Sequence, residues 1–365
     1  MNDFEKIERA AYDGDLETIR TMVAAGFDLS TINRDESLLT QICLELFAYE
    51  EIPHRYEALK LLLELGADVN QITDKEGTTA LSNAGVSADI ELFRILLEAG
   101  ANPNILTDGE TIYEWCAFDY CFEVWDCSLP EKPSKRDKMT SNLWLEWLDA
   151  IAVKYNRPRP DHLFLLRKFG GRTRNELYFK DLMNAASVCD LNKIREIVAE
   201  GFDLSTVVDG EFILAAVISD LGVVMGEIAP PLYDVVKLLL ELGADPNQLD
   251  EDGCGALTEA MLVMDTEMLR LLLEAGARPN DFSGFVSSET LYDWADSDYQ
   301  FDIWDINKFP EKVPEYTTED AWLEWLDSMA VKDGKRRPDH LFLLREYGAR
   351  TSSELEQLEE NKNAH

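Results

Sequence analysis

The sequence is poor in basic side chains and contains almost no histidine. Its 365 residues include 34 lysines and arginines against 71 aspartates and glutamates, which gives a formal net charge of −37, and only four histidines. Such a negative field repels a phosphate backbone, so we do not expect direct nucleic-acid binding, whereas a basic protein partner is favoured electrostatically. Solubility alone is a simpler explanation of the same charge, and the composition does not decide between the two.

Long apolar runs are also missing. The chain has no run of about 18 or more apolar residues, and its first residues, 1–5, lack the basic flank and apolar stretch of a secretory signal. Its six cysteines therefore fit reduced thiols in a cytoplasm. With 46% hydrophobic residues the chain can nevertheless bury a substantial core. We expect a folded cytoplasmic protein that does not enter a membrane.

Most of the sequence occurs twice. Two of the repeated segments are Leu61–Asp68, which returns as Leu238–Asp245, and Pro160–Arg167, which returns as Pro338–Arg345. We therefore predict two homologous halves, 1–178 and 179–355, followed by a disordered acidic and polar tail over 356–365. The second half is the more acidic, because dividing the sequence after Tyr178 leaves net charges of −13 and −24.

Each half contains a shorter repeat in which a helical stretch ends at a glycine. In the first half these glycines are Gly26, Gly66 and Gly100. The apolar residues before them follow helical spacing, and glycine supplies the left-handed conformation that ends a helix. After Gly66, a turn of aspartate and glycine leads to Thr78 and Thr79, which are suitable N-caps for the next helix. The pattern indicates pairs of helices joined by short hairpins.

The residues from Leu61 to Ala84 resemble the ankyrin repeat. They follow closely its order of three leucines, Gly-Ala-Asp-Val-Asn, a turn of aspartate and glycine, and then Thr, Leu and Ala. Leu238–Ala260 and Leu96–Ala117 are similar, although the family's usual Thr-Pro-Leu-His is degraded in this chain. The resemblance implies an all-α, ankyrin-like helical solenoid of about eight repeat-like units, whose hairpin tips and first helices line a protein-binding groove.

The last unit of each half is about twice as long as the others. Between Gly100 and Gly170, and between Gly276 and Gly348, the sequence contains an insertion rich in aromatic and acidic residues. The stretches 120–126 and 299–305 alternate aromatic or apolar residues with acidic ones. Such alternation predicts one apolar and one acidic face if the chain is extended there. These stretches are candidate contact strips for a basic partner.

Catalysis finds little support in the sequence. His162 and His340 recur in the two copies, which suggests a catalytic or metal-binding role. However, His162 follows Asp161, a plausible N-cap, and the first turn of a helix is a common place for an exposed or lightly bonded histidine. An enzyme built around the two histidines is the least favoured of three hypotheses, and we expect no catalytic residue.

A metal site is not expected either. Cys116, Cys121 and Cys127 have spacings that suggest metal binding, but the other copy has Ala, Gln and Ile at the equivalent positions. A structural zinc site needs about four ligands, and a site required for folding should occur in both copies. We therefore predict neither a metal nor a cofactor.

The candidate partner-binding residues are acidic residues of the hairpin turns and aromatic residues of the two strips. They are Asp74, Glu76, Asp108, Glu110, Tyr120, Phe122, Trp125, Asp250, Glu251, Asp252, Tyr299, Phe301 and Trp304. Acidic tips would make the expected groove negative, although aspartate is also an ordinary turn former.

We interpret the chain as a non-catalytic protein-binding module, monomeric before it binds, that masks a basic protein. Acidic ankyrin-like proteins resemble bacterial toxin antagonists, which implies an immunity-type inhibitor of a toxin or nuclease. The alternative is a scaffold or adaptor with no inhibitory role.

Overall fold

Helices that end in glycine and are joined by short hairpins make up nearly all of the described structure. The computed structural model describes residues 2–48, 53–85, 89–132, 140–208, 210–222, 230–250, 253–263, 265–280, 289–304, 309, 311–313, 315 and 318–363. The chain divides into two units, Met1–Leu177 and Tyr178–His365. Each unit has its own apolar core.

The first unit consists of helix pairs, the last of which is enlarged by one helix. Its helices are α1 (Asp3–Asp13), α2 (Leu16–Ala24), α3 (Leu38–Ala48), α4 (Pro53–Glu64), α5 (Ala80–Gly85), α6 (Ile90–Glu98), α7 (Ile112–Trp125), α8 (Ser141–Lys154) and α9 (Asp161–Lys168). An antiparallel hairpin before α3 joins β1 (Ile32–Asn33) to β2 (Glu36–Ser37), with Ile32 opposite Ser37.

The second unit repeats this order. Its elements are α10 (Arg174–Ser187), which begins just before the boundary, α11 (Leu191–Ala199), β3 (Val207–Val208), β4 (Glu211–Phe212), α12 (Ile213–Gly222), α13 (Pro230–Glu241), α14 (Ala256–Leu262), α15 (Thr266–Glu274), α16 (Leu291–Trp304), α17 (Glu319–Asp333), α18 (Asp339–Glu346) and α19 (Ser352–Asn363). The prediction of an all-α array of about eight helix pairs, with an enlarged last pair in each half, is confirmed.

Local sequence signals explain where the helices begin and end. An aspartate caps the second helix of several pairs, as where the Asp89 carboxylate accepts the backbone N–H groups of Glu91 and Leu92. At the end of α4, Gly66 adopts a φ of 96°, and the N–H of the following Ala67 donates to the carbonyl of Leu62 at 3.0 Å. This arrangement satisfies the last carbonyls of the helix and turns the chain into the next hairpin.

Four asparagines connect successive helix pairs, and we call them the asparagine clips. The Asn70 side chain donates to the Gly100 carbonyl at 3.0 Å and accepts the Asn102 N–H at 2.7 Å. Asn104 makes the same two bonds to Gly170 and Arg172, at 3.0 and 2.9 Å. In the second unit the clips are Asn247, bonded to Gly276 and Arg278, and Asn280, bonded to Gly348 and Arg350.

Two local expectations differ from the structure. The residue at the N-cap position of α9 is Pro160, with Asp161 already inside the helix and no side-chain cap bond, because proline fixes a backbone angle compatible with the helix start. At the end of the chain, α19 continues to Asn363, whereas the polar sequence of 356–365 suggested disorder. The Glu354 carboxylate near its start accepts the N–H of Thr351 at 3.0 Å and pairs with Arg345, which anchors this helix to the unit.

Candidate protein-binding surface

The acidic hairpin residues fall into two groups with different surroundings. Asp74 is half-buried, and its carboxylate accepts the Thr78 N–H at 2.8 Å. Burial opposes its ionisation, but the hydrogen bonds from Thr78 outweigh that effect and lower the pKa of Asp74. Asp250 is also half-buried, and it accepts the Cys254 N–H at 2.8 Å in the equivalent turn of the second unit. These two aspartates hold their turns in shape.

Three other carboxylates of the hairpins point into solvent. Glu76, Asp108 and Glu110 are exposed, and the two hairpins that carry them are joined, because the Asp108 N–H donates to the Glu76 carbonyl at 2.8 Å. The contact is close: a Cβ placed on Gly77, whose φ is 88°, would overlap the carbonyl oxygen of Leu106. The first unit therefore presents three acidic side chains on adjacent, packed hairpins. Glu251 and Asp252, also predicted here, lie outside the described residues.

The two aromatic strips are helical, so the expectation of an extended chain is wrong. Residues 120–125 belong to α7 and residues 299–304 to α16. Four of the five buried apolar side chains of α7 recur at helical spacing; they are Ile112, Tyr113, Cys116 and Tyr120. The two stretches considered in the sequence, 120–126 and 299–305, are only seven residues long and are too short to reveal a helical period.

Because the strips are helical, some of their aromatic side chains are buried and others are exposed. Tyr120 and Trp125 are buried in the first unit, and Tyr299 and Trp304 in the second. The Tyr299 hydroxyl donates to the Arg336 carbonyl at 2.6 Å, and Tyr120 makes the same bond to Pro158. Those four side chains build the enlarged units. Phe122 and Phe301, in contrast, are 58% and 57% exposed.

The two recurring histidines are buried rather than exposed. His162 packs against Phe93 and Tyr120, with ring centroids 6.5 and 5.9 Å away, and His340 packs against Tyr299 at 5.6 Å. Burial lowers the pKa of both imidazoles, that of His340 to about 4. Each ring lies in the first turn of its helix and hydrogen-bonds to the backbone of another helix. His162 bonds at Cys116 of α7, and His340 bonds at Ala295 of α16. Both rings therefore belong to the cores of the enlarged units.

The enlarged last repeat of each half contains an ion pair that was not predicted from the sequence. Arg167 and Glu176 pair at 2.6 Å with side chains only 12% and 6% exposed, and Arg345 pairs with Glu354 at the same distance. The arginine guanidinium also lies over the ring of Tyr113 or Tyr292, at 5.3 and 5.4 Å from the centroid. A signal was present in the sequence, because an arginine ends the repeated PDHLFLLR segment and a glutamate follows nine residues later in both copies.

A half-buried carboxylate distinguishes the second unit from the first. Asp296 of α16 accepts the Trp322 indole N–H at 3.1 and 3.2 Å and the Gln300 amide at 2.8 Å. Burial raises its pKa from 3.8 to about 6, the indole bond offsets part of that rise, and the charge of Glu319 adds to it. Ala117 occupies the equivalent place in α7. No sequence pattern marks this residue, since one more aspartate in so acidic a chain does not stand out.

The three cysteines considered as metal ligands differ in their surroundings. Cys116 is buried, Cys121 is half-buried and Cys127 is exposed. Among the residues that the structure describes, no group of three His, Cys, Asp or Glu side chains is placed to hold a metal ion. None of the described helices has both the length and the apolar character needed to cross a membrane.

Comparison with known proteins finds ankyrin repeats within the first unit. Residues 7–107 match the family model described as "Ankyrin repeats (3 copies)", and no curated relative matches the sequence significantly. Similar solved structures include an ankyrin repeat domain from Acinetobacter baumannii, at 20% identity, 75% coverage of this chain, 98% coverage of that chain and a TM-score of 0.24. Another is the ankyrin repeat domain of human ASB11, at 19% identity, with the same coverages and a TM-score of 0.26.

Ankyrin repeats mediate contacts between proteins, and the family is typically a non-catalytic binding scaffold. The helix pairs, glycine-terminated helices and connecting hairpins described above agree with the match over residues 7–107. The sequence-based resemblance is confirmed where it can be compared: residues 7–107 match the ankyrin repeat family model.

Proposed function

We propose that this chain binds a basic protein through its acidic hairpin tips and masks the basic surface of that protein. The observation that carries the proposal is the set of exposed carboxylates on the two joined hairpins, Glu76, Asp108 and Glu110. Because the backbone bond between the hairpins fixes their spacing, the three charges are presented together rather than on independent loops. A net charge of −37 extends the same sign of field beyond the tips.

Masking, rather than mere attachment, follows from the chemistry of a basic surface. Nucleases and other proteins that act on polyanions use lysine and arginine to hold phosphate groups. An acidic protein seated on those side chains competes with the polyanion for the same charges. We therefore favour an inhibitor of the immunity type, acting on a basic toxin or nuclease, and place it in the cytoplasm as a monomer before binding.

Two charge-reversal variants test where the partner binds. The test variant, Glu76→Lys/Glu110→Lys, reverses two charges at the hairpin tips. The control variant, Glu64→Lys/Glu98→Lys, reverses two charges at exposed positions at the ends of α4 and α6. The partner is first captured from the native cell, and its association rate is then measured at low and at high salt. We expect the tip variant to associate about 10-fold more slowly, the control about 2-fold more slowly at most, and the wild type to slow down as salt rises.

The outcomes separate the alternatives. Equal slowing in both variants would place the binding surface away from the tips, and an association rate independent of salt would refute the electrostatic argument. The inhibitory reading is tested by assaying the partner's own activity with and without this protein. An unchanged activity in the complex would indicate a scaffold or adaptor instead.

A further inference from the structure

Each enlarged unit exposes a large aromatic side chain at the same place in its long helix. Phe122 of α7 and Phe301 of α16 are 58% and 57% exposed, and they occupy equivalent positions of two helices of 14 residues each. The neighbouring aromatic residues Tyr120 and Trp125 already fill the core below α7. Phe122 and Phe301 are therefore not needed to complete either core.

The exposed face of α7 is wider than one side chain. Phe118, which is 65% exposed, lies one turn before Phe122, and the exposed Asp126 follows one turn after it. Residues four apart share a face of a helix, so Phe118 and Phe122 form one row, and Asp126 is the left-handed residue that ends the helix. In α16, Ser297 replaces the first phenylalanine, and Phe301 alone supplies the apolar contact.

Each phenylalanine has one carboxylate three residues before it and another directly after it, and its helix contains no cation. The sequence of α7 contains Glu114, Asp119 and Glu123 but no Lys, Arg or His. The sequence of α16 contains four aspartates and again no basic residue. Burial raises the pKa of Asp298, and the charge of Asp302 on the same helix raises it further. A cation placed between these two carboxylates would be attracted by both.

We propose that Phe122 and Phe301 are the apolar anchors of two equivalent docking strips, one in each unit, for a lysine- or arginine-rich segment of the partner that carries an apolar side chain. The apolar side chain packs on the phenylalanine, and the flanking cations pair with the carboxylates of the same helix. Arginine can in addition lie over the ring itself. The inference rests on the proposed basic partner, and it adds where the apolar contact lies and that the chain offers it twice.

The negative charge of these strips disfavours binding to a second copy of the chain or to a membrane. A second copy of the chain would bring another net charge of −37 to the same surface, so like charges oppose self-association there. A membrane surface is anionic on its cytoplasmic side and is repelled in the same way. A basic protein segment is attracted by the carboxylates and also covers the rings.

Synthetic peptides test the strips without knowledge of the natural partner. One peptide is an amphipathic helix of lysine and leucine, and the other has the same lysines with serine in place of every leucine. Both are titrated calorimetrically into the wild type and into Phe122→Ala/Phe301→Ala. We expect the leucine peptide to bind the double variant about 10-fold more weakly than the wild type, and the serine peptide to bind both equally. Two leucine peptides should bind per wild-type chain, and one per Phe122→Ala chain.

The matched control changes two other exposed apolar residues. Val153 and Val331 are each 61% exposed at equivalent positions and are followed by Lys154 and Lys332. Val153→Ala/Val331→Ala therefore removes exposed apolar atoms next to a positive charge instead of next to carboxylates. It should bind the leucine peptide as the wild type does. If the phenylalanine variant also binds like the wild type, the strips are refuted while binding of a basic partner stands. If neither peptide binds the wild type, the proposed function fails as well.

Discussion

The carboxylate of Asp296 should weaken the second unit at neutral pH, and replacing it with a neutral isostere should therefore stabilise the protein. Because its pKa is raised from 3.8 to about 6, the folded chain holds the proton between these values while the unfolded chain has released it. The folded state thus binds more protons in this window, and its stability falls as pH rises. At 1.36 kcal/mol per pKa unit, the full penalty above pH 6 is about 3 kcal/mol.

Asp296→Asn removes the titration and keeps most of the contacts. The asparagine oxygen can accept the Trp322 indole N–H, and Gln300 can turn its amide to accept from the new NH₂ group. Since about 0.5 kcal/mol of the penalty is already present at pH 4, we expect the stability difference between the variant and the wild type to grow by about 2 to 2.5 kcal/mol from pH 4 to pH 7. Urea unfolding followed by tryptophan fluorescence measures it.

The difference between variants is the quantity to follow, because His340 contributes a slope of the opposite sign. Burial lowers the pKa of His340 from 6.5 to about 4, so the unfolded chain takes up the proton first and stability is lost as pH falls through this range. The two titrations oppose each other in the wild type, whereas His340 is unchanged in Asp296→Asn and cancels from the comparison.

Asp302→Asn is the control for the loss of a charge. It removes one carboxylate from an exposed position of the same helix, and we expect its effect, including the loss of its charge beside Asp298, to stay within about 0.5 kcal/mol from pH 4 to pH 7. A carbon NMR titration of the Asp296 carboxyl group provides the direct check. A midpoint near 4, or a stability difference that does not change with pH, would refute the reasoning.

Two further predictions concern the buried ion pair and the packed hairpins. Arg167→Ala leaves Glu176 buried without its cation and should cost about 3 to 5 kcal/mol in urea unfolding. Arg159→Ala breaks a pair whose arginine is 54% exposed and should cost far less; equal losses would contradict the role of burial. Gly66→Ala should cost about 1 to 2 kcal/mol for its left-handed backbone alone, and Gly77→Ala should lower the melting temperature further because its Cβ also meets Leu106.

The sequence was sufficient to predict the array but not the surroundings of individual side chains. Glycines such as Gly66 and the repeated leucines before them fix the helix ends and the buried stripe locally, so the all-α fold and the enlarged last units could be predicted. The surroundings of His162 depend instead on how α9 packs against α7, which no local pattern encodes. The same holds for Asp296, whose hydrogen-bond partner Trp322 lies 26 residues away in the chain on another helix.

Candidate binding residues were predictable by type rather than by position on a surface. Aspartate in a turn serves either to hold the turn, as Asp74 does, or to face solvent, as Asp108 does, and the sequence is alike in both cases. The prediction for the aromatic strips was wrong because it assumed the two-residue period of an extended chain. With the helical period, Tyr120 and Phe122 fall on different sides of α7, and only one of them can meet a partner.

The asparagine clips have a consequence for how this protein can change during evolution. Asn70 reaches the end of an ordinary helix pair at Gly100, and Asn104 reaches the end of the enlarged unit at Gly170 with the same bond length of 3.0 Å. The inserted helix α8 thus adds length to the chain without altering the spacing at which the next pair is joined. New segments can be accepted, shortened or exchanged at this point while the stacking of the array stays intact, so the enlarged unit is where such an array can acquire a new partner at the least risk to its fold.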